Sequence, residues 1–223
     1  MEYPRNASLA IKGVFDRLAA AFLLIVLSPI FAVLALLIYL QDRGPVFFLQ
    51  TRVGKDEKLF TIYKFRSMIV NADKLLDQKE ILKSGKRVTK IGVLLRKTSL
   101  DEIPQLINVL LGEMSFVGPR PMLAETLPRL TMEQKKRLRM KPGITGLATV
   151  SGRNLLKWSK RIELDNQYID NFHLGNDVII LLKTVRVALT GEGVVLDRNC
   201  DDVDDLGPVS TEQTSPDSER KVA

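Results

Sequence analysis

Residues 18–40 read LAAAFLLIVLSPIFAVLALLIYL, a run of 23 residues without a charge. A straight helix of that length would be roughly 35 Å long, enough to cross the hydrocarbon core of a bilayer. No small-residue cleavage site closes the run, and it is too long for a signal-peptide core, so it is read as a retained membrane segment. Ser28-Pro29 stands in its middle. Proline lacks an N–H and clashes with the carbonyl four residues earlier, here Ile25, so the helix kinks or breaks at this point. The Ser28 hydroxyl is placed to satisfy part of the freed backbone. A kinked spanning helix fits, because proline is tolerated in membranes. So does a re-entrant hairpin that enters and leaves on one face. Arg5, Lys12 and Arg17 precede the run and Arg43, Arg52, Lys55 and Lys58 follow it. Positive charge on both flanks gives no inside–outside asymmetry and favours the hairpin.

The formal net charge of +7 is unevenly spread: the segment from Asp201 to Ala223 carries −5, which leaves about +12 on residues 1–200. Beside a membrane segment, such a basic body suits anionic lipid and phosphorylated substrates. Nucleic-acid binding is disfavoured, because aromatic residues make up only 6% and no recognition motif occurs. Cys200 is the single cysteine, which excludes an internal disulfide and fits a reducing cytoplasm. A single histidine, His173, cannot build a histidine-based metal site and is read as an ordinary satisfied or exposed residue. Trp158 is read as an anchor of its helix to the core or the membrane interface.

After Gly44-Pro45, two short β-like runs flank a Gly54-Lys55-Asp56 turn and predict a hairpin. Residues 69–82 have the pattern of a surface helix. GKRVTKIGVLLRKT predicts an amphipathic helix with Val88, Ile91, Leu94 and Leu95 on one face. A helix carrying Asp101 and Glu102 should run to about Leu111, and Thr131 should open a very basic one. ITGLATVSGRN reads as a short strand and glycine turn, followed by helices at roughly 157–171 and 176–190. From about Glu192 the chain turns acidic and Ser/Pro-rich, the composition of a disordered tail. The expected architecture is α+β and mostly helical, with a short β-hairpin and amphipathic interfacial helices. Its parts are a membrane-associated helix-break-helix over 1–43, a catalytic domain over 44–197 and an acidic tail over 198–223. The tail is expected to be dispensable for chemistry.

TSLDEIPQLINVLLGEMSFVGPRP, residues 98–121, holds the candidate chemical residues. Ser99-x-x-Glu102 matches a capping box, and Asp101 would complement the helix dipole, each worth about 1 kcal/mol. That structural role is sufficient to explain the pattern. The same residues also suit a phosphoryl site: a carboxylate at a helix start can attack phosphorus to give an acyl phosphate. Because nucleophile and diphosphate are both anionic, cations must surround them. Arg96 and Lys97 precede the pair, Arg120 follows in the stiff Gly118-Pro119-Arg120-Pro121 turn, and Arg153 lies beyond. Guanidinium groups bind phosphate in a bidentate manner. Gly143, Gly146 and Gly152 surround Arg153 and would let backbone approach a phosphate closely. Magnesium could bridge Asp101, Glu102 and diphosphate oxygens without histidine.

The chain resembles the small monotopic phosphoglycosyl transferases of bacteria, also called bacterial sugar transferases. The resemblance covers approximately residues 8–197. It rests on FDRLAAAFLLIVLSPI, GPVFFLQTRVG, FTIYKFRSM, LLRKTSLDEIPQLINVLLGEMSFVGPRP, KPGITGLATVSGRN and DNQYIDNFHLGNDVIILLKTV. It implies an enzyme that moves a sugar-1-phosphate from a UDP-sugar to polyprenyl (undecaprenyl) phosphate, releasing UMP and initiating membrane-linked glycan assembly. It implies a re-entrant helix broken at Ser28 and Pro29, on the cytoplasmic face of the bacterial inner membrane. It implies a ping-pong mechanism with a covalent phosphosugar on Asp101, magnesium as cofactor, and Arg96, Arg120 and Arg153 as phosphate clamps. Glu102 would act as a base, a metal ligand or an orienting group. Tyr168 and Asp177 fall where the family shapes its nucleotide or sugar pocket. The chain departs from the family's GITGWAQV stretch at Leu147 and Thr149, which bears on sugar or uracil contacts. A competing function is a non-enzymatic anchor, in which the basic run from Lys135 to Lys141 and the helix at 178–190 recruit anionic lipid or a partner protein.

Overall fold

The computed structural model describes residues 6–70, 72, 87–190 and 204–207. Two apolar helices open it, α1 (Asn6–Val26) and α2 (Ser28–Asp42), bent by 63° at their junction. No single described helix is long and apolar enough to cross a membrane, whereas this bent pair is by length and composition. The break is built as Ser28-Pro29 dictates: Pro29 opens α2, and the Ser28 hydroxyl donates to the Ile25 carbonyl at 2.8 Å, taking up the group that proline frees.

The β-hairpin is present. Strands β1 (Phe47–Val53) and β2 (Leu59–Phe65) pair antiparallel from Phe47↔Phe65 to Val53↔Leu59. The far edge of β1 takes on the short strand β4 (Met122–Leu123). A separate parallel pair joins β3 (Ser115–Val117) to β5 (Gly143–Thr145). Between the sheets run α3 (Lys90–Thr98), a tight turn at Leu100–Glu102, and α4 (Gln105–Leu111), which ends at Gly112 with φ 81°. Then come α5 (Met132–Lys135), α6 (Leu147–Val150), α7 (Trp158–Asp170) and α8 (Leu174–Thr190). Met114, Leu106 and Val109 pack with Phe60 and Ile62 of β2 and Ala20 of α1, so the apolar helix is part of the domain core.

Several sequence-based expectations change. Leu94 is 57% exposed while Leu95 is fully buried, so α3 packs through a face rotated from the one predicted. Ile69 and Val70 belong to a bridge-and-turn segment, and the rest of the helix expected at 69–82 falls outside the described residues, Ala72 excepted. The stretch after Ile144 is a short helix, α6, where a glycine turn was expected. The basic run is not a free cationic surface: Lys135 pairs with Glu57, Lys136 with Asp170, and Arg137 is buried against Asp165 at 2.6 Å. Of the acidic tail, Asp204–Gly207 lies against the body, with Leu206 in a core cluster beside Met122, Leu130 and Ile162.

Candidate active site

Ser99 does not cap the helix carrying Asp101 and Glu102. It sits in the left-handed region at φ 59° and ends α3, its amide donating to the Arg96 carbonyl. The amides of Glu102 and Ile103 are consumed by the carbonyls of Ser99 and Leu100 in a 3₁₀ turn. Glu102 is therefore not folded back on Ser99 as a capping box requires. It reaches into the cleft instead, its Oε1 accepting from Lys64 Nζ at 3.0 Å and from Arg120 Nη2 at 2.8 Å. Lys64 and Arg120 are the cations that hold the Glu102 carboxylate.

These groups line one cleft of about 780 Å³, within the range of small-ligand sites. Arg96, Asp101, Glu102, Arg120 and Arg153 all face it, so the structure brings together the candidate catalytic pair and the candidate phosphate ligands. Arg96 is positioned by Ser67 Oγ, to which its Nε donates at 2.9 Å. Arg153, at φ 48°, donates to Ser99 Oγ. The Arg120 carbonyl accepts from Arg137 Nη2 at 2.7 Å, and Asp165 neutralises Arg137 from behind. Buried ion pairs of this kind fix geometry more than they add stability.

The glycines expected to admit a phosphate serve the Gly118-Pro119-Arg120-Pro121 turn instead. A Cβ on Gly143 would lie 2.1 Å from the Gly118 nitrogen, and one on Gly146 would lie 2.2 Å from the Gly118 oxygen. Their bareness lets β5 lie against the turn that aims Arg120. Gly152 packs against Leu156.

The cleft contains cations that the sequence reading left without a role. Lys64 and Arg66 alternate along β2 and its exit, and both line the cleft, as does Arg161. Arg66 is tied to Asp42 at the end of α2, and a Cβ on Gly44 would collide with its guanidinium. Among the described residues, Nε and Nη1 of Arg66 and Nη1 of Arg153 are buried with no hydrogen-bond partner. A buried N–H without an acceptor is costly, and phosphate oxygens are the acceptors that match a guanidinium best. The period of two in TIYKFRS was the available signal for Lys64 and Arg66. Nothing local marked Arg161.

Electrostatics separate the two carboxyls. Burial, reinforced by the neighbouring Glu102, pushes Asp101 up to about 6, against the opposing pull of Lys64, Arg96 and Arg120. Burial would also raise Glu102, but Arg120 and Lys64 outweigh it and hold this carboxyl well below the usual range. Glu102 is thus a fixed anion that anchors two cations, while Asp101 is the poised one.

Tyr168 and Asp177 do not line this cleft. They lie in a buried network: Tyr168 donates to Asp177 Oδ1 at 2.7 Å, and Lys12 of α1 donates to Asp177 Oδ2 at 2.6 Å. Asp16 pairs with Lys12 and accepts from Ser115 Oγ at 2.6 Å. This network joins α1 to α8 and β3, a structural position in place of the expected pocket. His173 is exposed and its Nδ1 accepts from the Asn176 amide in the first turn of α8. Trp158 packs on the cluster around Leu206, with Arg161 above its ring. Of the departures at Leu147 and Thr149, Thr149 faces the cleft and Leu147 packs in the core.

Residues 7–191 match the family described as bacterial sugar transferase. The chain is 46% identical over 184 residues to an uncharacterized sugar transferase, EpsL, of Bacillus subtilis, covering 82% of this chain and 90% of that protein. It is 40% identical over 210 residues to the undecaprenyl-phosphate galactose phosphotransferase of Salmonella typhimurium, covering 85% of this chain but 42% of that protein. It is 37% identical over 196 residues to the exopolysaccharide production protein ExoY of Rhizobium meliloti, at 82% and 87% coverage. The chain thus spans most of some relatives and less than half of others. It belongs to the bacterial sugar transferase family and is a phosphoglycosyl transferase.

Proposed function

We propose that this enzyme transfers a sugar-1-phosphate from a UDP-sugar to polyprenyl phosphate, releasing UMP, through a covalent intermediate on Asp101. The observation that carries this reading is the cleft in which Asp101 stands among Lys64, Arg66, Arg96, Arg120 and Arg153. An Asp101 oxygen attacks the β-phosphorus as the bond from that phosphorus to the bridging oxygen breaks, and UMP departs with the electron pair. A phosphate oxygen of the acceptor then attacks the same phosphorus and expels the Asp101 carboxylate. Both steps move charge between anions, so their barrier is set by how well fixed cations receive it. An acceptor phosphate is already ionised near neutrality and needs little help from a base. The low pKa of Glu102 agrees with an orienting role, because an effective general base has a pKa near the working pH.

The donor set fits magnesium arriving with the diphosphate. Magnesium takes one or two protein carboxylates together with substrate phosphates, and Asp101 and Glu102 supply that pair. Among the described residues no cluster of three or more His, Cys, Asp or Glu offers a self-sufficient metal site. Bound there, the ion would add positive charge beside the transferring phosphoryl oxygens.

The membrane assignment is supported by the surface of α1, α2 and α8. Phe15, Phe22, Ile25, Val33 and Leu40 of the bent pair are exposed, as are Leu182, Val185 and Leu189 of α8. Each large apolar side chain left in water forgoes roughly 1.5–3 kcal/mol of burial, so so many together call for lipid. We place the bent pair as a re-entrant hairpin in the bacterial cytoplasmic membrane, with the cleft on the cytoplasmic side. The test is UMP release from a panel of UDP-sugars in detergent with magnesium and polyprenyl phosphate. Asp101→Asn should abolish it without lowering the melting temperature or changing membrane extraction; turnover by that variant would overturn the mechanism.

A further inference from the structure

The segment Asp204–Gly207 makes contacts far denser than a solvated tail would. Arg129 Nη1 and Nη2 donate to the two oxygens of Asp204 at 2.6 and 2.9 Å. The same guanidinium donates to the carbonyls of Leu206 at 2.5 Å and Gly207 at 3.0 Å. Leu206 is 9% exposed, in the cluster with Val53, Met122, Leu130 and Ile162, against which Trp158 packs. The Leu206 amide donates back to Asp204 Oδ1 at 3.1 Å, an Asx turn that holds the leucine towards the groove.

The second feature is on α7. Its N-cap position is Lys157, whose side chain accepts no hydrogen bond, and its first turn contains no acidic residue. Asp205 supplies what is missing: its Oδ1 accepts from the Ser159 amide at 2.9 Å and its Oδ2 from the Ser159 hydroxyl at 2.5 Å. A helix whose own sequence provides no cap is thus capped by a carboxylate far along the chain, which favours it through both hydrogen bond and dipole. These hydrogen bonds hold Asp204 and Asp205 below the usual carboxylate range.

We propose that Arg129, Ser159 and the apolar patch beside Trp158 form a peptide-binding site for an acidic Asp-Asp-Leu-Gly segment, occupied in cis by the chain's own C-terminal region. Arginine reads the first carboxylate and the backbone carbonyls, the open end of α7 reads the second carboxylate, and the patch reads the leucine. The site adjoins the cleft wall, because Arg161 lies over the Trp158 ring at 5.1 Å and lines the cleft. A tail read as dispensable for chemistry is therefore a ligand of the domain that performs it.

Trp158 is the single tryptophan, so fluorescence excited selectively in tryptophan reports on this site alone. In the full-length protein, Asp205→Asn with Leu206→Ser should raise acrylamide quenching of Trp158 roughly twofold and speed amide exchange in the first turn of α7, where the cap is lost. Adding a synthetic peptide of residues 201–210 at millimolar concentration to that variant should restore the protected emission. A peptide with both substitutions should not. Unchanged quenching and exchange in the variant would overturn the clasp. Loosening that the wild-type peptide fails to reverse would overturn recognition of the segment by the groove.

Discussion

At the scale of single residues, the account turns on two adjacent carboxyls with opposite electrostatic fates. Asp101 titrates near 6 against an ordinary 3.8, so in the folded protein its ionised form is disfavoured. The sign follows: stability is lost as pH rises between those values, and the full cost is present above about 6. Asp101→Asn removes that cost. At pH 7.5 the variant should melt at or above the wild-type temperature while showing no UMP release, a combination that scanning calorimetry and a single-turnover assay read directly. Burial of a needed but unfavourable charge is how sites exchange stability for reactivity. For the same reason single-turnover UMP release by the wild type at subsaturating donor, without acceptor, should fall on the acid side with a midpoint near pH 6, since that regime reports the free enzyme. A rate flat from pH 5 to 8 would contradict Asp101 as the group that must ionise. Glu102→Gln should behave differently. It leaves Lys64 and Arg120 without their shared anion, and chemical denaturation should show a loss of roughly 2–4 kcal/mol together with low activity. The residue types were legible in the sequence, but the assignment of Ser99 as a cap was not correct, because its left-handed backbone is set by the join between α3 and the following turn.

At the scale of elements, the strongest local rules were obeyed. Ser28-Pro29 breaks the apolar helix with a 63° bend, and the hairpin closes over residues 54–58 as turn chemistry predicts. What could not be read locally is what tertiary approach decides. The glycines near Arg153 looked like phosphate-contact turns, yet Gly118, Gly143 and Gly146 meet one another where β5 passes the Arg120 turn. Gly143→Ala places a methyl 2.1 Å from the Gly118 nitrogen, so this variant should lose soluble folded protein or melt many degrees lower; wild-type stability would show that the two strands are not in contact. The short pairings of β3 with β5 and β4 with β1 were likewise missed, since segments of two or three residues have no period to detect. Pro29→Ala should favour a continuous helix. In a Cys200→Ser background, a cysteine placed at Ala7 should label from the cytoplasmic side in the wild type and become protected from that side in Pro29→Ala. Labelling from the opposite side in both would contradict the hairpin.

At the scale of the molecule, the bent apolar helix pair, the cleft and the body form one unit. Ala20 of α1 sits in the same core as β2 and α4, and Lys12 and Asp16 reach Asp177 and Ser115 through buried polar contacts. Tyr168 and Asp177, which the family resemblance placed at a nucleotide or sugar pocket, serve this joint, a long-range role that a linear reading does not separate from a pocket. Lys12→Met strands Asp16 and Asp177 as buried charges, and should cost roughly 3–5 kcal/mol in denaturation and weaken retention of α1 against the body. The convergence of Arg96, Asp101, Glu102, Arg120 and Arg153 was legible, and Lys64 and Arg66 carried the period-two signal of their strand, whereas Arg161 entered the cleft only through the fold. The central claim is that Asp101 carries the phosphosugar between donor and acceptor. It is tested most directly by intact mass, with purified protein, magnesium and a panel of UDP-sugars in the absence of polyprenyl phosphate. The account predicts an increase equal to one sugar phosphate with the correct donor, absent in Asp101→Asn and discharged when polyprenyl phosphate is added. UMP release that occurs only with acceptor present, and without any adduct, would contradict it.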